Sequence, residues 1–149
     1  MRDTETIALA ELAEVNPKVD LRQMSGDTAV SFIPMSDVTE SGRWVNRQEH
    51  CLDDVRFGYT PFSEGDVLFA KITPCMENGK GAHAVGLKNG VGFGSTEFHV
   101  LRARGDNSAR YLFHWLQARQ TRTRAVAYMG GSAGQQRVQS DFFTNFRVP

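Results

Sequence analysis

The chain has 149 residues, 40% of them apolar, with 17 basic and 17 acidic side chains and a formal net charge of zero. That length fits one domain with room for a real core, and no apolar run approaches a membrane span. Met1-Arg2-Asp3-Thr4-Glu5 lacks the apolar centre of a signal peptide, and Cys51 and Cys75 form no spacing pattern, so a cytoplasmic protein with reduced thiols is expected.

Thr4 to Glu14 reads as a short strand and a helical turn, with Ile7, Leu9 and Leu12 as its buried candidates. Asn16-Pro17 breaks it, because the residue before proline is pushed out of the helical region. Leu21 to Asp27 is a polar loop. Ala29 to Met35 is a strand, and Pro34, which has no N–H for a ladder, places its end at an edge or turn. Ser36 to Gln48 alternates weakly and suits a hairpin around Gly42-Arg43. Trp44 is there either a packed core edge or an exposed stacking residue.

Val67–Ile72 and Glu97–Leu101 are the most strand-like runs. The insert between them is rich in Gly, Lys, Asn and Pro, and reads as a surface loop held between paired strands. Asp66, before an apolar strand, is a turn residue. Ser108 is an N-cap for a helical region reaching Met129. Tyr111, Leu112, Trp115 and Leu116 form one apolar stripe, and Arg110, Arg119, Arg122 and Arg124 lie largely off it. Gly130-Gly131 ends that region, Ser132 to Gln136 is a polar glycine loop, and Ser140-Asp141 caps a short helix, Phe142–Phe146.

The zero net charge conceals an asymmetry. Residues 1–101 carry nine basic and fifteen acidic side chains, net −6, whereas residues 102–149 carry eight arginines and two acids, net +6. Such an imbalance points to an anionic partner on one face. Arginine favours bidentate contacts to phosphate or guanine. For any one arginine the alternative is a solvated helix surface.

Catalytic readings fit poorly. Asp66, Glu77 and Lys80 imitate the acid-acid-lysine set of metal-dependent nucleases, but Asn78-Gly79 reads as a turn, which would not present Glu77 and Lys80 on one strand face. Asn16-Pro17-Lys18 lacks the aromatic residue that follows proline in amino-methyltransferases, and no glycine-rich start for S-adenosylmethionine is visible. The histidines and cysteines show no zinc-ligand spacing. Glu77-Asn78-Gly79-Lys80 suits an anion-binding nest, in which glycine lets successive N–H groups point one way. Without a P-loop Gly-Lys-Thr it suits a DNA phosphate better than a nucleotide. No cofactor is expected.

Four motifs stand in order: Gly65-Asp66-Val67-Leu68, Lys71-Ile72-Thr73-Pro74, Glu77-Asn78-Gly79-Lys80 and Gly94-Ser95-Thr96-Glu97-Phe98. Together they resemble the target recognition domain of type I restriction-modification specificity subunits (the S subunit, HsdS), and the likeness runs from Leu9 to Pro149. The resemblance implies sequence-specific binding to double-stranded DNA at one half of a bipartite site. It also implies partners, two methyltransferase (M) subunits and a restriction (R) subunit, to which catalysis would belong. In that family a long helix follows the recognition domain, and this sequence is expected to be one isolated domain without it.

The DNA-binding candidates are of three kinds. Lys71, Lys80, Arg122, Arg124 and Arg137 suit phosphates. Arg43, Asn78, Gln135 and Gln136 carry groups that read base edges in pairs of hydrogen bonds, and Thr73 and Ser132 can donate to either. Gly94 to Glu97 reads as a buried turn with Glu97 paired internally. The expected fold class is α+β: a twisted, mostly β body over Thr4–Leu101, then a C-terminal helical hairpin over Ser108–Met129 packed on it, like a DNA methylase specificity domain. The competing readings are a protein-interaction module without DNA affinity and a metal-dependent nuclease.

Overall fold

The computed structural model describes residues 6–105, 108–131 and 136–148. In chain order the elements are β1 (Ile7–Ala8), α1 (Leu9–Leu12), β2 (Ala13–Val15), β3 (Ala29–Ile33), β4 (Gln48–Cys51), α2 (Leu52–Val55), β5 (Thr60–Ser63) and β6 (Val67–Ala70). They continue with β7 (Gly81–His83), β8 (Val91–Gly94), β9 (Phe98–Ala103), α3 (Ala109–Gln117), α4 (Arg119–Ala125), β10 (Met129–Gly130), β11 (Arg137–Val138), α5 (Asp141–Asn145) and β12 (Arg147–Val148).

β6 is apolar at every position, Val67-Leu68-Phe69-Ala70, and all four side chains are buried. Side chains alternate between the two faces of a strand, so such a run needs cover on both sides. β6 lies inside an antiparallel sheet of order β2-β9-β6-β7. Val67 and Phe69, with Leu101 of β9, meet a helical layer that supplies Leu9, Leu112, Leu116, Phe142 and Phe143. Leu68 and Ala70, with Phe98 and Val100, meet Ile33 and Phe62 of a second sheet.

The second sheet has the order β4-β3-β8-β5, with β3 and β8 parallel and the other pairs antiparallel. Its outer face carries Val30, Val91 and Phe93 beneath Leu52 and Val55 of α2 and the loop residues Val19, Leu21 and Met24. The layers are therefore helices, sheet, sheet, and a thin cover of loop and α2.

The α+β expectation holds, but the insert between the two best strands does not remain a loop. It supplies β7, which pairs with β6, and β8, which lies between β3 and β5. Its glycines read as loop formers, yet two of them serve close approach. A Cβ on Gly92 would lie 2.3 Å from the Phe62 ring, and one on Gly94 would lie 2.4 Å from Ile33 O. β8 fits between its neighbours because these positions carry no side chain.

The helical region is interrupted by Ala118, whose extended backbone (φ −58°, ψ 136°) separates α3 from α4. Ser108 caps α3 as expected, its Oγ accepting from Tyr111 N at 3.2 Å. Ser140 gives no side-chain cap, and the last helix begins at Asp141. β1 and β12 pair with Ile7 opposite Val148.

Candidate nucleic-acid interface

The strand register gathers several ends at one edge of the molecule. Gly94, the end of β8, sits opposite Ile33 at the end of β3 and Thr60 at the start of β5. Ala70, the end of β6, sits opposite Phe98 at the start of β9. Residues 95–97 join β8 to β9 across the two sheets. The loops leaving this edge hold most of the expected DNA-binding residues, and loops on a rigid sheet edge are where recognition groups usually sit.

The segment after β6 is zipped to the segment before β11. Lys71 O accepts from Val138 N at 2.8 Å, Thr73 N donates to Gln136 O at 2.9 Å, and Lys71 N donates to Glu97 O at 2.8 Å. This brings Lys71, Thr73, Gln136 and Arg137 together. Arg137 is already engaged, its Nε donating to both oxygens of Glu97 at 3.0 and 2.8 Å. Glu97 is thus paired internally, as its motif suggested. The Arg137 charge is already paired on the protein side.

Residues 72–80 form a tight turn bonded to itself. Met76 N donates to Ile72 O, Asn78 N to Pro74 O, Gly79 N to Met76 O and Lys80 N to Cys75 O, all between 2.9 and 3.1 Å. The anion nest expected at 77–80 is therefore absent, because three of its N–H groups are spent inside the turn. Thr73 Oγ1 donates to Glu77, and Lys80 Nζ donates to Met35 O at 3.2 Å, so neither side chain is idle. Pro74, Glu77 and Asn78 form the exposed tip.

Arg122 does not reach the surface. It is 3% exposed. Its Nε donates to Leu116 O at 2.9 Å and its Nη1 to Met76 O and Lys80 O at 3.0 and 3.1 Å. Nη2 donates to Gln117 Oε1, and the guanidinium lies 4.0 Å from the centre of the Phe69 ring. Burial pushes its pKa down to about 9. Its place among the phosphate contacts is withdrawn. The stripe model failed here because the break at Ala118 rotates α4 relative to α3, turning an expected outer position inward.

Arg43 is exposed on a turn closed by Thr39 N to Arg43 O at 2.9 Å, with Val38 bridged to Trp44. The neighbouring Glu40 O would lie 2.5 Å from a Cβ on Gly79, so this turn and the 72–80 turn touch. Trp44 packs against the inter-sheet core with Arg47 stacked 3.8 Å above its ring, which decides for packing. Arg124 lies elsewhere, beside Phe146 and Arg147. Ser132 and Gln135 fall outside the described residues.

The structure adds Lys18, Asn16 and Thr60, which line a groove with Lys71 and Phe98. The Asn16-Pro17 break signalled a turn, but its closeness to Lys71 depends on strand order. Asn16 (φ 51°) accepts from Val100 N at 2.8 Å through Oδ1, and its Nδ2 lies 3.2 Å from His99 Nδ1. His99 Nε2 donates to Val138 O at 2.8 Å, so Nδ1 is an acceptor and the ring is neutral. Burial holds the His99 pKa below its usual value. Asp66 is 1% exposed and paired with Arg102, while Glu77 and Lys80 have other partners, so the three nuclease-like residues belong to separate contacts.

Comparison with known proteins agrees across the whole chain. It is 37% identical over 147 residues to the type I restriction enzyme EcoEI specificity subunit of Escherichia coli, covering 97% of this chain and 24% of that protein. It is 40% identical over 149 residues to the EcoAI specificity subunit of the same organism, covering 97% of this chain and 25% of the relative. The chain thus spans about a quarter of the curated relatives it matches. The crystal structure of the HsdS subunit from Thermoanaerobacter tengcongensis shares the fold, with a TM-score of 0.71 at 20% identity over 97% of this chain and 37% of that one. A structure from a study of complex assembly and conformational transition in the type I R-M system gives a TM-score of 0.72 at 18% identity, over the same shares. No protein-family profile matches the chain.

Proposed function

The chain is homologous to type I restriction enzyme specificity subunits over 97% of its length, and on that premise we propose that residues 1–149 are one target recognition domain that binds double-stranded DNA sequence-specifically. It reads one half of a bipartite site and performs no chemistry itself. Methyltransferase subunits and a restriction subunit are its partners, and the cytoplasm is its compartment. No helix among the described residues is long and apolar enough to cross a membrane.

The observation that carries the reading is homology over 97% of this chain, joined to a strand-end surface that carries Arg43, Lys71, Thr73, Asn78 and Gln136. Phosphate contacts give affinity, and base-edge contacts from the exposed turns give sequence preference. The test is selection of bound sites from a random duplex library with the purified chain, followed by salt titration on the winner. Enrichment of one short motif, with affinity falling steeply as salt rises, supports the proposal. No enriched motif, or affinity indifferent to salt, rejects it.

A further inference from the structure

The 72–80 turn is gripped from beneath at three carbonyls. Arg122 Nη1 takes Met76 O at 3.0 Å and Lys80 O at 3.1 Å. Gln117 Nε2 takes Gly79 O at 2.9 Å, and Gln117 Oε1 accepts from Arg122 Nη2. Gln117 ends α3 and Arg122 lies within α4, so the extended Ala118 between them brings two neighbouring helices to bear on one turn.

The fit leaves no slack. A Cβ on Gly81 would lie 2.8 Å from Gln117 Oε1 and 3.0 Å from Arg122 Nη2. A Cβ on Gly42 would lie 2.6 Å from Gln117 Nε2, and one on Gly79 would lie 2.5 Å from Glu40 O. Two turns, those carrying Arg43 and Asn78, and the start of β7 at Gly81 therefore crowd together around Gln117.

The bonds assigned to Arg122 reach carbonyls and an amide oxygen, with no carboxylate among them. A buried guanidinium is costly where an apolar residue would fill the space. Its fixed fork of donors, however, sets two carbonyls at a defined spacing. With three of its carbonyls held below and four of its N–H groups spent within it, the turn exposes Pro74, Glu77 and Asn78 at its tip.

Resting on the DNA reading above, we infer that Gln117 and Arg122 are positioning residues for base recognition, holding the 72–80 turn so that Asn78, at its tip, reads a base edge. Recognition groups must be fixed within a fraction of an ångström to discriminate, and buried hydrogen bonds from a rigid element supply that fixation. Asn78 is suited to adenine, to which an amide can donate and accept at once.

The experiment is site selection from a random duplex library with the whole chain, for wild type, Asn78→Ala, Gln117→Ala and Gln117→Glu, beside thermal melts. Gln117→Glu keeps an acceptor for Arg122 and so keeps the fold, but it replaces the donor to Gly79 O with a repelling oxygen. Asn78→Ala should lose roughly tenfold preference at one or two positions. Gln117→Glu should lose preference at those same positions, with binding to scrambled duplex and the salt slope unchanged. Gln117→Ala should do likewise if its melt is intact. A folded Gln117→Glu with the wild-type motif, or with loss at positions unrelated to those of Asn78→Ala, overturns the inference alone. A wild-type chain that enriches no motif overturns the DNA reading, and this inference with it.

Discussion

Asp66 and Arg102 join β6 to β9 by a two-pronged ion pair, with Arg102 Nε 2.9 Å from Oδ1 and Nη2 2.8 Å from Oδ2. Asp66 Oδ2 also accepts from Ser63 N at 2.8 Å, closing the turn ahead of β6. Asp66→Ala strands a partly buried arginine and an orphaned amide, so it should destabilise the fold by about 2–4 kcal/mol. Urea unfolding measures this, and a variant as stable as wild type would contradict the assignment. The same variant, if folded at low temperature, should keep its DNA preference.

Acid should loosen the protein through His99. Its Nδ1 faces the amide of Asn16 and its Nε2 is committed to Val138 O, so a second proton has no acceptor. A folded pKa below the unfolded value of about 6.5 means that the unfolded chain binds the extra proton first. This contribution is complete above pH of about 6.5 and is lost as pH falls through the window down to the folded pKa. Melts from pH 8 down to pH 5, for wild type and His99→Gln, should show a steeper decline in wild type over about the range below 6.5.

Two core substitutions test the layering from opposite sides. Phe98→Ala empties a site between the sheets and should cost about 3–5 kcal/mol. Gly92→Ala adds a methyl group 2.3 Å from the Phe62 ring and should cost about 1–3 kcal/mol. A neutral Gly92→Ala would mean that β8 does not pack against β5 as described.

Salt titration separates engaged from available cations. Lys71→Ala and Lys18→Ala should each lower the slope of log affinity against log salt by about one. Arg137→Ala, which removes a charge already paired with Glu97, should leave that slope unchanged and alter stability little, because the pair is open to solvent. A slope reduced by Arg137→Ala would instead place that residue among the phosphate contacts.

The strands at Val67 and Phe98, the Ser108 cap and the internal pairing of Glu97 were legible because they depend on local pattern. β8 was not, because its glycines answer to Ile33 and Phe62, which lie 30 or more positions away in sequence. Arg122 escaped for a similar reason: helical periodicity assumes a continuous axis, and Ala118 interrupts it. Of the +6 in residues 102–149, Arg102 and Arg137 are paired with carboxylates and Arg122 is buried on carbonyls. The charge count therefore pointed to an anionic partner with charges that are in part structural. Arg43 and Asn78 were singled out one by one, but their adjacency rests on Gly79 meeting Glu40, which no local pattern encodes.

The β1–β12 ladder has a consequence for how such a unit can be rearranged. Ile7 and Val148 are opposite one another, so a short glycine-serine bridge between them would span only neighbouring strands. New ends opened at the exposed Phe57-Gly58 turn, where a Cβ on Gly58 would meet nothing within 4 Å, should then yield a circularly permuted chain with the same melt and the same DNA preference. Because β1 and β12 lie side by side, a unit of this kind is suited to insertion into another polypeptide without moving the flanking segments.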